Sequence, residues 1–267
     1  MRDSRQGEKE KLRIGEKSIS FFATSMPMPL KELLLGCPAP LLILLSNLYA
    51  SLVEPPIPDE EFVPLLPLVE LGSTVLEVGS NKGGLTKLLS SRVGKTGRVI
   101  SCEPNPVSYS IAKQNLKRAE NTTVLNVGVW RSNSPRIMQT VGLTDSAASQ
   151  YSQRSRVPVM RFRAHFVTLD WLLRNLNITR LDTLIIDAEG SELEIIEGGM
   201  GVIRRSQELA IQIELHPSLR RGVDARVMEL LSSLGYRALH VSSGRGAVTF
   251  LFKKFEPHAK HRPESDA

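Results

Sequence analysis

The stretch Glu77-Val78-Gly79-Ser80-Asn81-Lys82-Gly83-Gly84 sets glycines and an amide directly after a short apolar run. An acid, Glu103, follows roughly 20 residues after the turn, the distance at which a ribose-binding acid stands in nucleotide sites. Glycines in such a turn let the backbone take positive φ and pass close to a ligand. A dinucleotide site uses G-x-G-x-x-G and rests a pyrophosphate on the helix N-terminus. The spacing here is G-x-N-x-G-G, which fits that chemistry poorly. Asn81 tolerates left-handed backbone and brings hydrogen bonds of its own, so it replaces a glycine while lining a pocket.

Glu103 has no Arg beside it for a 2′-phosphate; Pro104-Asn105-Pro106 follows instead. Turn and acid together point to an adenosine-type ligand without a pyrophosphate, the shape of S-adenosylmethionine. The bland alternative is a structural turn with a surface Glu. Further polar groups close later apolar runs. Asp187 and Glu189 end "LIIDAE", and "IELHP" sets Glu214 and His216 two apart, on one face of a strand. Cys37 and Cys102 are far apart and form no ligand cluster, so reduced thiols and a cytoplasmic location are expected.

These groups need elements to hold them. Apolar runs predict strands over 74–78, 98–102, 122–129, 183–186, 209–215, 237–241 and 247–252. Helical spacing predicts helices over 85–91, 106–118, 169–175, 192–203 and 225–234. "TLII" is continuous, as in a strand buried on both faces. The turn "SSGRG" between the last two strands predicts an antiparallel hairpin. Alternating strands and helices predict a mostly parallel sheet with helices on both faces. Residues 131–166 break the rhythm and read as a loop or small hairpin over the carboxyl ends of the strands, where ligands bind in such sheets.

The chain has 267 residues, 41% of them hydrophobic and 23% charged, enough for one large α/β domain with a core. Net charge is +6 and the pI near 9.4. Much of the basic excess lies in the ends, which reads as solvated charge rather than a binding patch. The expected organisation is a disordered basic segment over 1–17, a helical extension and connector over 18–71, one domain over 72–254 and a flexible tail over 255–267. The apolar run Pro38–Val53 is shorter than the roughly 20 residues that span a bilayer, and Ser46 and Asn47 interrupt it, so no transmembrane span is expected.

The stretches "VLEVGSNKGGLT", "CEPNP" with "AKQNL", "VLNVGV", "VTLDWLL", "LIIDAEGSELEIIEGG" and "IQIELH" resemble, in order, the FkbM family of class I S-adenosylmethionine-dependent methyltransferases. The resemblance covers about Ser73 to Leu215. Ala188 departs from the family's usual "DVEG". The resemblance implies an α/β, Rossmann-like class I methyltransferase fold, with a mostly parallel seven-stranded sheet and an antiparallel C-terminal hairpin. It implies S-adenosylmethionine as cofactor. Glu77 would meet the amino end of the methionine moiety, Gly79 and Gly83 would let the backbone pass with Asn81 between them, and Glu103 would hold the ribose. Pro104 and Asn105 would border the adenine, and Asn126 and Val127 would flank the adenine or its ribose. Asp187 would face the sulfonium and the acceptor.

Each position has a plainer reading: Glu77 as a helix N-terminal partner, Asn126 as a turn former, Asp187 as a cap for a helix starting near Ser191. Transfer to a hydroxyl also needs a base, for which Asp187, Glu189, Glu214 and His216 are candidates, with Asp187, Glu214 and His216 taken as catalytic. The same three residues make an oxygen–nitrogen triad for a divalent ion. They come from separate strands and follow no metal spacing, so no metal is expected. His165 either lines the acceptor pocket or sits on the surface. A hydroxyl of a small molecule or glycan is the expected acceptor. RNA or protein methylation and a non-catalytic binding module are the alternatives. Aromatics are 5% of the chain and suggest no base-stacking platform, so nucleic acid is the less favoured partner; a homodimer stays open.

Overall fold

In a computed structural model the chain is described over residues 62–140, 160–244 and 247–255. The expectations for 1–17, most of the 18–71 extension, the tail beyond 255 and the "TDSAASQYSQ" stretch lie outside those residues. Among the described residues no helix is long and apolar enough to cross a membrane.

The elements run β1 (Thr74–Val78), α1 (Gly84–Val93), β2 (Arg98–Cys102), α2 (Pro106–Asn115), β3 (Thr122–Leu125), β4 (Gly128–Val129) and β5 (Ser134–Thr140). Then come β6 (Met160–Val167), α3 (Leu169–Asn175), β7 (Thr183–Asp187), α4 (Glu192–Gly198), α5 (Met200–Arg205), β8 (Ala210–Leu215), α6 (Val223–Ser233), β9 (Tyr236–Gly244) and β10 (Ala247–Lys254). A 3-10 turn, Leu66–Leu68, precedes β1.

Seven strands form one sheet in the order β3-β2-β1-β7-β8-β10-β9. β3, β2, β1, β7 and β8 are parallel; β10 is antiparallel to both β8 and β9. This is the expected fold class. The chain leaves β1 toward β2 on one side and later returns to β7 on the other. The crevice between β1 and β7 is thus a topological switch point, where such sheets bind ligands.

Both faces of the sheet are covered. Leu76, Val78, Leu184 and Ile186 join α3, α4, α5 and α6 in the larger core. Val75, Val99 and Ile185 face the other way and pack on Leu85, Leu89 and Val93 of α1 and on Leu65 and Val69. A parallel strand buried on both faces reads as an unbroken apolar run, as "TLII" does. Helix starts follow their caps. Asn105 Oδ1 accepts from Val107 N at 2.9 Å, with Pro106 at the first helical position. Thr168 Oγ1 accepts from Trp171 N at 3.1 Å.

Two elements differ from expectation. The strand expected over 122–129 is two: β3 stays in the large sheet, while β4 joins a separate three-stranded sheet in the order β4-β6-β5. The chain turns at Asn126, whose amide donates to the carbonyls of Glu103 at 2.8 Å and Pro104 at 3.3 Å. The helix expected over 192–203 is also two. A Cβ at Gly198 would strike the Trp130 carbonyl, and one at Gly199 would strike Leu169. Asp170 caps the second piece, accepting from Gly201 N at 2.9 Å and Val202 N at 2.7 Å. The small sheet contains the hairpin expected within 131–166, with β5 and β6 antiparallel.

Candidate functional site

A cleft of about 600 Å³ opens at the carboxyl ends of β1, β2 and β7. Val78, Gly79 and Asn81 form its floor after β1, Glu103 and Pro104 one side, and Asp187 to Glu189 the other. Val129, Met138 and Phe166, from the small sheet, add an apolar wall. Five of the residues expected from sequence therefore meet in one crevice: Gly79, Asn81, Glu103, Pro104 and Asp187.

The others stand around it. Glu77 is 2% exposed beneath the turn, does not line the cleft, and accepts from Thr86 Oγ1 at 2.5 Å. Burial drives its carboxyl up to about 8, against the lowering effect of Thr86. Gly79 has φ +93, and a Cβ there would strike the Asp187 carbonyl oxygen. Gly83 has φ +81, caps α1, and has Leu116 and Ala112 against it. The packing of the chain itself thus demands both glycines. Asn105, fully buried, donates its N–H to Glu103 Oε1 at 2.8 Å. Asn126 holds the same turn from outside, and Val127 packs against the larger core.

Glu103 is the best-placed acid. Asn81 N donates to its Oε2 at 2.8 Å and Asn105 N to its Oε1. Each carboxylate oxygen accepts more than one hydrogen bond, so both retain capacity toward the cleft. Burial nevertheless pushes this carboxyl up to about 7, the two backbone donors opposing it. Asn81 takes φ 47, and its side-chain Oδ1 is buried with no hydrogen-bond partner.

On the far wall, Asp187 and Glu214 are Cα partners in the β7–β8 register, and His216 follows directly after β8. Ligand atoms of these three residues lie within 4.8 Å of one another. The three expected catalytic residues therefore converge, although Glu214 and His216 sit behind the wall rather than on it. His216 Nε2 is 3.6 Å from both Glu189 Oε2 and Glu214 Oε1, and Nδ1 is 3.4 Å from Glu192 Oε1. Burial and the charges of Glu214 and Glu189 hold the Asp187 carboxyl well above its usual range. Burial alone would lower His216, but Glu192, Glu189 and Asp187 outweigh it and raise the imidazole to about 9. His165 is exposed on β6 and does not line the cleft.

Sequence reasoning missed Ser108, Met138, Phe166 and Glu192. Ser108 lies on α2 one turn past its cap, where only the cap was legible. Met138 and Phe166 reach the cleft through pairing of β5 with β6. Glu192 looked like an ordinary acid in the first turn of a helix, yet it is fully buried and accepts from Gly190 N at 2.8 Å.

The site suits S-adenosylmethionine. Glu103 offers acceptors for a ribose diol, and the Pro104, Met138 and Phe166 surfaces offer apolar contact for a base. Asn81 Oδ1 is a buried acceptor without a donor, and Asp187 and Glu189 bring two carboxyl groups to the opposite wall.

Comparison with known proteins agrees. The Methyltransferase FkbM domain pattern matches residues 77–238. A tRNA (adenine(57)-N(1)/adenine(58)-N(1))-methyltransferase of Methanocaldococcus jannaschii is 47% identical over 47 residues, 18% of this chain and 17% of that protein. Among solved structures, an FkbM methyltransferase from Methylobacillus flagellatus KT aligns with TM-score 0.48 and 15% identity, over 78% of this chain and 58% of that one. A precorrin-6y C5,15-methyltransferase from Geobacter metallireducens GS-15 aligns with TM-score 0.44 and 17% identity, over 72% of this chain and 86% of that one.

Proposed function

The chain belongs to the FkbM methyltransferase domain family, with S-adenosylmethionine as its cofactor, and from that premise we propose that it methylates a hydroxyl of a small molecule or glycan. The observation behind the hydroxyl is Asp187. Its carboxylate lines the cleft, its Oδ1 is buried without a hydrogen-bond partner, and its proton affinity is raised. A carboxylate so placed takes the proton that a hydroxyl gives up on methylation.

The cofactor supplies a methyl group already activated by the sulfonium. The residues of the chain do the rest. Glu103 and Asn81 hold the nucleoside end, and the Val129, Met138 and Phe166 wall keeps water from it. Asp187 accepts the acceptor's proton, with Glu214 and Glu189 beside it strengthening that basicity. His216, whose imidazole Glu192, Glu189 and Asp187 raise to about 9 against the effect of burial, balances the charge of Glu192 and Glu189. Alignment of acceptor and methyl in one crevice accounts for most of the acceleration expected of such a site.

The test separates cofactor from base. Calorimetry with S-adenosylmethionine is expected to give micromolar binding for wild type and a collapse in Glu103→Ala. Asp187→Asn is expected to bind the cofactor within a few fold while methyl transfer to a panel of hydroxylated acceptors falls about 10²–10⁴-fold. Undiminished transfer by Asp187→Asn would remove Asp187 as the base. Transfer to RNA or protein instead of the panel would overturn the acceptor class.

A further inference from the structure

We propose that Asp187, Glu214 and His216 bind one divalent metal ion of the oxygen-preferring kind, with Glu192 orienting the histidine. Two carboxylates and one imidazole are a donor set for Mn²⁺ or a similar borderline-to-hard ion, not for a soft one. Ligands about 2.1 Å from one ion stand about 3–4.2 Å apart, depending on whether they are adjacent or opposite. The three ligand atoms lie within 4.8 Å of one another, so side-chain shifts of up to about 1 Å close the shell.

The histidine supplies an independent observation. A metal-bound imidazole characteristically gives its other ring N–H to a carboxylate, which fixes tautomer and orientation. His216 is placed for that arrangement once Nδ1 closes on Glu192. Nε2 faces Glu214 and Glu189 at 3.6 Å, while Nδ1 faces Glu192 Oε1 at 3.4 Å. Glu192 is 0% exposed and anchored by the N–H of Gly190 at 2.8 Å. Its other oxygen, Oε2, is buried with no hydrogen-bond partner, as are Asp187 Oδ1 and His216 Nδ1. Three orphaned polar atoms in one cluster are costly to leave so in a protein interior.

Charge points the same way. Asp187, Glu189, Glu192 and Glu214 surround a single imidazole, and the side chains of Glu189, Glu214 and His216 are 17%, 14% and 13% exposed. Even with the imidazole protonated, the ionised cluster carries excess negative charge away from water. A divalent cation compensates it and gives the orphaned oxygens a partner. Glu189, a non-glycine residue at φ 49, stands in a left-handed turn with its Oε2 3.6 Å from Nε2. The existence of this site does not rest on the methyl-transfer reading; only its use does. In that use Asp187, Glu214 and His216 would hold the ion where it would polarise the acceptor oxygen. The acceptor's O–H proton would pass to the Asp187 oxygen left off the ion, the oxygen–carbon bond forming as the carbon–sulfur bond of the cofactor breaks.

The full chain, stripped of metal with a chelator and returned to chelator-free buffer, is titrated with Mn²⁺ while paramagnetic resonance reads the free ion. One ion per chain is expected, with affinity weakened about 10–100-fold in Glu214→Gln and Asp187→Asn and unchanged in the distant Glu197→Gln. Paramagnetic broadening of the His216 imidazole NMR signals in wild type locates the ion even if a variant folds poorly. Calorimetry with S-adenosylmethionine runs in parallel. No Mn²⁺ binding to a wild type that binds the cofactor overturns the metal site alone and leaves a proton-balanced cluster. Mn²⁺ binding without cofactor binding upholds the site and overturns the proposed function. Mn²⁺ binding that neither variant weakens, with His216 signals unbroadened, places the ion elsewhere and overturns the assignment.

Discussion

Glu103 shows how one carboxylate is held in place at the edge of the cleft. Two backbone N–H groups hold its oxygens in place, but burial still raises it to about 7. Only the ionised form accepts from both hydroxyls of a ribose. Cofactor binding therefore favours proton loss, and affinity is expected to rise by up to about tenfold per pH unit below about pH 7 and level off above it. Calorimetry across that range checks the slope, and Glu103→Gln is expected to bind more weakly and without it. A flat wild-type profile would mean the ribose does not meet this carboxylate. The residue was legible from its type and its distance from the turn. Asn81 as its donor was not, because folding alone brings it to Glu103, whereas Asn105 lies two residues on and only its N–H direction was hidden. Asn81 was legible as a glycine substitute for the same reason that it takes positive φ. Glu189 takes positive φ too, but nothing in "DAEG" marks an acid as left-handed.

At the level of elements, the loop after β8 is tied to the turn after β7 by one side chain. Arg220 Nη1 donates to the carbonyl of Gly190 at 3.0 Å and to both oxygens of Glu194 at 2.8 Å. Glu194 is nearly buried, so removing Arg220 takes its cationic partner from a poorly hydrated carboxylate. Arg220→Ala is expected to cost about 3–5 kcal/mol, read as a lowered midpoint in chemical denaturation. The double variant Arg220→Ala with Glu194→Gln is expected to recover part of that loss. A small loss for the single variant would show the pair to be well hydrated. This clamp was invisible in sequence, as were the two broken elements. "TTVLNVGV" alternates well enough to read as one strand, because nothing local says that the Asn126 amide is recruited by the Glu103 and Pro104 carbonyls. "ELEIIEGGMGVI" reads as one helix until Trp130 and Leu169 are known to press on its paired glycines. By contrast β1, α1, β2 and β7 were legible nearly to the residue, since their periodicity is set by burial against neighbours on both faces. Convergence of Asp187 with Glu214 was legible only as strand ends; the parallel register makes it a contact.

For the molecule as a whole, building a ligand crevice from buried acids makes stability depend on pH. Glu77 and Glu103 sit at about 8 and about 7, against 4.5 for an ordinary Glu. The folded state therefore holds protons that the unfolded chain has released. Stability from these groups is complete below about pH 4.5, is lost as pH rises, and reaches its floor above about pH 8. Glu77 contributes over the widest part of that window. Its neighbours are Thr86, which donates to it, and Glu103, which disfavours its charge. Glu77→Gln keeps an oxygen for the Thr86 hydroxyl and removes the ionisation. The variant is expected to match wild type closely near pH 5 and to melt about 5 °C or more above it near pH 9, at roughly 2–4 °C per kcal/mol for a domain of this size. Asp187 and His216 titrate in both proteins, so the difference between the two melting profiles isolates Glu77. Parallel profiles would show that Glu77 is ionised at little cost in the fold, with a charged or hydrated partner beneath the glycine turn. A difference that grows with pH and narrows when S-adenosylmethionine is added would tie the buried acid to the cofactor's cationic end.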